Sequence, residues 1–93
     1  MPNLFELYEF EWDEGNKYKS VVKHGVTNEE AEDALLDPEG TIRKTKEGRY
    51  IHLGVTSNGK YLFQIFVFKM RHKIRIISSR LMDADEKRIY KTK

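Results

Sequence analysis

Three arginines and one histidine hold the reactive chemistry open to this chain: Arg49, Arg75 and Arg80, in segments that read as strands, and His24 in the stretch VVKHG. A guanidinium stays charged at any working pH, grips a phosphate through two parallel hydrogen bonds, and stabilises negative charge building on a phosphorane-like transition state. It is a poor acid or base. An imidazole supplies the missing function, because it titrates near neutrality and shuttles protons when a 2′-hydroxyl attacks its neighbouring phosphate and the 5′-oxygen leaves. Each of these residues also has a purely structural reading. Arg75, between Ile74 and Ile76, suits an outward-facing strand position. His24 suits the last turn of a helix, where a histidinium meets the negative end of the dipole, an interaction of about 0.5 to 2 kcal/mol. His52 and His72 fall in a strand and a turn and make weaker cases.

Composition narrows the classes further. Cysteine is absent, which removes disulfides, thiol catalysis and thiolate metal sites together. With the three histidines on separate segments, no metal site and no cofactor are expected. No apolar run approaches the roughly 18 residues of a membrane span. The opening Met1-Pro2-Asn3 lacks the basic and apolar regions of a secretion signal. The expectation for 93 residues is a single domain, 1–93, in the cytoplasm and away from membranes, with a modest core. Charge is spread unevenly: residues 1–48 carry 6 basic and 12 acidic side chains, a net −6, and residues 49–93 carry 11 and 3, a net +8. Clustered Lys and Arg neutralise phosphates and release counterions, so the basic half fits a nucleic-acid surface; it equally fits a solvated strand face.

These groups need elements to position them. LFELYEFEW (4–12) alternates in part, with Tyr8, Phe10 and Trp12 on one face, and predicts a half-buried strand. Asp13 and Asn16 can cap a helix with Tyr18, Val21 and Val22 as its apolar positions, ended after His24 by Gly25, with Val26 folding back onto Val21. Thr27 and Glu30 form a capping box for a second helix with Ala31, Ala34 and Leu35 as its buried stripe, running to Asp37-Pro38. Strands follow over 41–45, 49–56, 61–70 and 72–80. Asn58-Gly59 predicts a type I′ hairpin turn between two of them, and Met70-Arg71-His72 the next turn. Asp83 caps a short C-terminal helix.

The stretches FEWDEGN (10–16), KHGVTNEEA (23–31), EGRYIHLG (47–54), IRIISSR (74–80) and EKRIY (86–90) resemble, in order and spacing, the blocks of the BrnT family, ribonuclease toxins of type II toxin–antitoxin systems. The resemblance implies an α+β, RelE-like fold: a curved antiparallel sheet with two N-terminal helices and a short C-terminal helix. It implies an endoribonuclease acting on an RNA substrate without metal, by 2′-hydroxyl attack. It further implies a BrnA-like ribbon-helix-helix antitoxin, with operator DNA bound only through the complex. On the matching positions, His24 becomes a candidate acid or base, Arg49, Arg75 and Arg80 candidates for the scissile phosphate, and Glu86 and Tyr90 candidates for orientation or proton transfer. Lys23, Arg71 and Lys73 are candidate RNA contacts. Trp12 and Gly25 are explained by packing and helix termination. Asn16 and Ser20 depart from the family pattern of lysine and asparagine, and Ser79 replaces a frequent alanine. The alternative is a catalytically silent antitoxin-binding module acting in transcriptional autoregulation; a stand-alone domain without a partner is a third possibility.

Overall fold

The structure, a computed structural model, describes residues 4–92; Met1-Pro2-Asn3, read above for a secretion signal, lie outside them. Where a strand was expected over 4–12, the chain makes a 3-10 turn, Leu4–Leu7, and only two residues of strand, β1 (Glu9–Phe10). The turn drops Phe5 into the core, edge-on to Phe66 at 5.7 Å and to His52 at 5.9 Å. β1 then joins the sheet edge in parallel, through Glu9 N–H to His72 O and Glu11 N–H to Ile74 O, both 2.8 Å. The remaining strands, β2 (Thr41–Lys44), β3 (Tyr50–Val55), β4 (Tyr61–Lys69) and β5 (Lys73–Leu81), pair antiparallel in the order β1-β5-β4-β3-β2. The expected α+β architecture is present, with a sheet that is mixed at its first strand.

Two N-terminal helices and one C-terminal helix complete it: α1 (Lys19–His24), α2 (Asn28–Leu35) and α3 (Ala84–Lys91). α2 follows the sequence closely. Both halves of the Thr27/Glu30 capping box form, and Ala31, Ala34 and Leu35 are fully buried against Leu62 and Phe66. α1 inverts the expectation. Its apolar Val21 and Val22 face solvent and Ser20 is buried, because α1 lies along the edge of β5, where polar backbone must be satisfied. Asn16 Nδ2 donates to Ile76 O (3.1 Å), and Ser79 N–H donates to Ser20 Oγ (2.9 Å). Ser79 Oγ in turn bonds the buried Gln64, whose amide reaches Ala31 O at 2.9 Å. Asn16 and the Ser20–Ser79–Gln64 chain are therefore two polar sets that together satisfy the exposed edge of β5. Gly25 takes the left-handed conformation (φ 69°) as expected, but Val26 continues into the core, 1% exposed, and leaves Val21 at the surface.

The turns exchange roles. Gly59 alone has positive φ in the β3–β4 turn, where the Thr56 hydroxyl accepts from Lys60 N–H and bonds Asn58, so the expected type I′ pair does not form. Two successive positive φ angles occur instead at Arg71 (63°) and His72 (57°) in the β4–β5 turn.

Gly54, next to the last residue of β3, lets α2 approach: a Cβ there would meet Ala34 O and stand 2.6 Å from His52 Cε1. Backbone cannot swing aside, so Gly54→Ala is expected to cost about 2 kcal/mol. That lowers Tm by roughly 10 °C in a chain of this size, read by calorimetry.

Candidate active site

Register sorts the reactive side chains by face. On β5, Ile74, Ile76 and Ser79 point into the core beneath α2, so Arg75, Ser78 and Arg80 point to the opposite, open face, a bulge at Ile65/Phe66 keeping the two strands in phase. Across the sheet this builds rungs. Arg80 stands beside Phe63, Leu53 and Thr41; Ser78 stands beside Ile65, Ile51 and Arg43. α3 crosses the Arg80 end of this face and closes a trough of about 410 Å³ over Ile51, Leu53 and Phe63, walled by Ile89 and Glu86 and flanked by Arg43.

Arg80 sits at the trough's edge. Its guanidinium lies 4.0 Å from the Phe63 ring centroid and makes two bonds of 2.8 Å to the two carboxylate oxygens of Glu86, which raise its already high pKa. Glu86 has a second task, accepting from Asp83 N–H at 2.9 Å in the capping box that starts α3. Arg43 is exposed and, among the described residues, makes no ion pair. It stands on a strand that reads weakly in the sequence, and only its pairing with Ile51 assigns its face.

Arg75 and Arg49 occupy the other end. Arg75 pairs with Val67, and alternation from Ile51 brings Arg49 to the same rung. Arg75 is held by Asp13 (2.8 and 2.9 Å) and Glu11 (3.0 Å), which push its pKa higher still. The Arg75 guanidinium, helped by Gly15 N–H, holds the Asp13 carboxyl down to about 2. Five residues of strand, about 16 Å, separate Arg75 from Arg80. The three arginines expected at one phosphate thus form two stations, each anchored to its own carboxylates.

His24 is exposed in the last turn of α1, and no hydrogen bond or ion pair among the described residues joins it to the arginines. Its level along the sheet follows from the edge contacts. Asn16 bonds at Ile76 and Ser20 at Ser79, so α1 runs in the direction of β5. One further helical turn, about 6 Å, advances about two strand residues, to the level of Arg80 and Leu81. Lys23 is exposed beside it, Arg71 is exposed at the β4–β5 turn, and Lys73 is half-buried at the start of β5.

Tyr90 serves the scaffold. Its hydroxyl donates to Asp37 Oδ2 at 2.6 Å, and its ring meets Tyr61 edge-on. Burial, then the Asp37 carboxylate, push the phenol well above its usual range, which makes it a weak proton donor at neutral pH. Burial alone would raise the Asp37 carboxyl; the bonds from Tyr90, Glu39 N–H and Val55 N–H outweigh it and hold it low. Trp12 Nε1–H donates to Glu32 at 2.6 Å and packs on the core.

Among the described residues no group of three or more His, Cys, Asp or Glu side chains is placed to hold a metal ion, and no helix is long and apolar enough to cross a membrane.

Comparison with known proteins ties this geometry to a family. A family model described as the ribonuclease toxin, BrnT, of type II toxin-antitoxin system matches residues 12–86, which spans β2 to β5, the trough floor and Glu86 but stops short of Tyr90. Among solved structures, the ribonuclease toxin BrnT of Brucella abortus is similar, with 22% identity and a TM-score of 0.66 over 82% of this chain and 97% of that one. At that identity the likeness is one of fold. No curated protein matches the chain significantly. With four fifths of its length under a single family description, the chain belongs to the BrnT family of ribonuclease toxins of type II toxin–antitoxin systems.

Proposed function

We propose that this protein is an endoribonuclease toxin that cleaves RNA in the trough on the open face of the sheet, without metal, by attack of a 2′-hydroxyl on the adjacent phosphate. The new bond joins the 2′-oxygen to phosphorus, the bond to the 5′-oxygen breaks, and the 2′-proton is lost as another is delivered to the leaving oxygen. The products carry 2′,3′-cyclic phosphate and 5′-hydroxyl ends. One observation carries the proposal: in a BrnT-family chain, register sets Arg80 and Ser78 on the same open-face rungs as the Phe63, Leu53, Ile51 and Arg43 that line the trough, whose other wall carries Ile89 and the carboxylates of Asp83, Asp85 and Glu86.

In this reading Arg80 leaves Glu86 for the scissile phosphate and stabilises its developing charge. Phe63 keeps the guanidinium flat for bidentate contact. His24, level with Arg80 at the sheet edge, exchanges protons, and the released Glu86 carboxylate orients or accepts the 2′-hydroxyl proton. Tyr90 anchors α3. Arg49 and Arg75 steer the strand electrostatically and do not touch the reacting phosphate. The antitoxin is BrnA-like, a ribbon-helix-helix protein that covers the basic face and carries the complex to operator DNA, and the pair acts in the cytoplasm.

A specific observation favours a second reading. Arg75 and Arg80 are both saturated by carboxylates, as suits a silent module that keeps the antitoxin surface and has lost activity. Expression of the chain alone separates the two: growth arrest with RNA carrying cyclic-phosphate ends, reproduced by the purified protein in EDTA, supports the enzyme. Normal growth and intact RNA with folded protein support the silent module.

A further inference from the structure

The turn between β4 and β5 combines three properties that its structural duty does not require. It is strained: Arg71 and His72 both adopt positive φ, a conformation that glycine and asparagine take readily and that costs other residues energy. It is exposed, with Met70 at 83% and Phe68 at 40%. It is also cationic. Lys69, Arg71 and Lys73 lie within five residues of chain, and Lys69 pairs with Lys73 on the open face. Among the described residues none of the three makes an ion pair, whereas both Arg75 and Arg80 do. A hairpin selected only for stability would carry Asn-Gly at 71–72 and would not set Lys69 opposite Lys73 unpartnered.

A shallow depression of about 560 Å³ lies beside the turn, lined by Phe68, Met70 and these cations, with Glu11 at its inner edge. Phe68 turns its ring to the other face, against Tyr8, Tyr50 and Phe66, so the surface left beside the cations is the Met70 thioether and the rim of Phe68. Cations grouped around such a small apolar surface match single-stranded nucleic acid, whose phosphates take the charges. Lys73 is seven strand residues from Arg80, about 23 Å away on the same face.

We propose that the β4–β5 hairpin tip is a second RNA-backbone grip, remote from the cleavage trough, that holds the substrate strand several nucleotides from the scissile bond. It rests on the ribonuclease reading above and adds a role in substrate length and affinity. The strain belongs to this function: it presents Arg71 outward while His72 is held against Tyr8, ring centroids 5.6 Å apart.

The test uses a 12-nucleotide RNA made uncleavable by 2′-O-methylation for binding, read by fluorescence anisotropy, and cleavable 12-mer and dinucleotide substrates for kinetics. In Lys69→Gln/Arg71→Gln/Lys73→Gln, affinity for the uncleavable 12-mer falls at least about tenfold. Its salt dependence loses about 2 in slope, three phosphate contacts at about 0.7 each. The kcat/KM advantage of the 12-mer over the dinucleotide shrinks by a similar factor, since a dinucleotide cannot reach the tip. In Arg71→Asn/His72→Gly, Tm rises while 12-mer binding weakens, a combination that a damaged fold cannot give. Unchanged 12-mer affinity and salt slope in the triple variant overturns the proposal, as does stronger competition by polyglutamate than by RNA, which would make the tip a site for an acidic protein segment. Wild-type protein that binds the uncleavable 12-mer through the tip yet cleaves nothing overturns the ribonuclease reading and leaves the grip standing.

Discussion

Replacing Arg80 by alanine lowers kcat for RNA cleavage by about 100- to 1,000-fold, the loss expected when one preorganised donor to a developing oxyanion is removed, about 3 to 4 kcal/mol. The chain still folds. The Arg80–Glu86 pair is partly exposed, with side-chain exposures of 35% and 15%, and such pairs contribute about 1 kcal/mol or less. Glu86 keeps its capping bond to Asp83 N–H, so the start of α3 survives. Arg80→Lys separates charge from geometry: it keeps the positive charge, loses the fork over Phe63, and falls between wild type and alanine. Single-turnover cleavage, with near-ultraviolet dichroism as the folding control, reads all three. Wild-type kcat in Arg80→Ala removes Arg80 from the mechanism. Arg75→Ala acts differently. Its guanidinium belongs to Asp13 and Glu11, so the change loosens the loop over the sheet edge and affects stability and binding before kcat.

The second large effect is on stability and comes from His52, 1% exposed beneath α2. Burial, against a smaller opposing pull from Asp37, lowers its pKa to about 4, and its Nδ1 has no hydrogen-bond partner. Gly40 and Gly54 let the backbone close on the ring, where a Cβ at either position would collide with it. Well above pH 6.5 the imidazole is neutral whether the chain is folded or not, and its contribution to stability is complete. As pH falls from 6.5 toward 4 the unfolded chain takes up a proton that the folded chain refuses. Stability is lost across that window, by roughly 3 kcal/mol, a large share of the total for a domain of this size. Asp13 and Glu30, each held at about 2 by their partners, add a loss of the same sign that begins only as the unfolded carboxylates protonate, at the lower edge of the window, and runs below it. Urea unfolding from pH 7.5 to 4 reads the effect as a falling midpoint at constant slope. His52→Gln flattens the profile between pH 6.5 and 4; an unchanged profile would assign the acid sensitivity to other groups.

Much of this was legible in the chain because local signals agreed with the fold. Thr27/Glu30 and Asp83/Glu86 cap their helices from sequence signatures, and Ile51, Leu53 and Val55 alternate onto one face as read. The misreadings share a cause: they fall where tertiary packing overrides local pattern. The aromatic alternation of 4–12 suggests a full strand, yet Phe5 gains more by entering the core through a 3-10 turn. Val21 and Val22 are spaced for an amphipathic face, yet α1 is placed by polar contacts to the β5 edge, so its buried residue is Ser20. Asn58-Gly59 is the local choice for a type I′ turn, but the Thr56 hydroxyl closes that loop another way.

The site follows the same rule. Residue type picked out Arg80 and His24, and the family resemblance added Glu86, while the placing of the strand residues on one face depends on register, which no local signal fixes. Arg43 escaped attention because β2 is short and polar, and only its pairing with Ile51 sets it on the trough. Arg49 and Arg75 were grouped with Arg80 by chemistry, and the strand spacing separates them.

The central claim is that the 2′-hydroxyl is the nucleophile and that the protein's own side chains supply the catalysis. One measurement addresses it directly. An RNA oligonucleotide cleaved at a single mapped position is compared with the same strand carrying one 2′-deoxy residue at the nucleotide 5′ to the scissile phosphate, both in EDTA. The account predicts cleavage of the all-RNA strand to a 2′,3′-cyclic phosphate and no cleavage at the substituted position. Cleavage of the substituted strand there, or activity that disappears with the chelator and returns with a divalent ion, would contradict it.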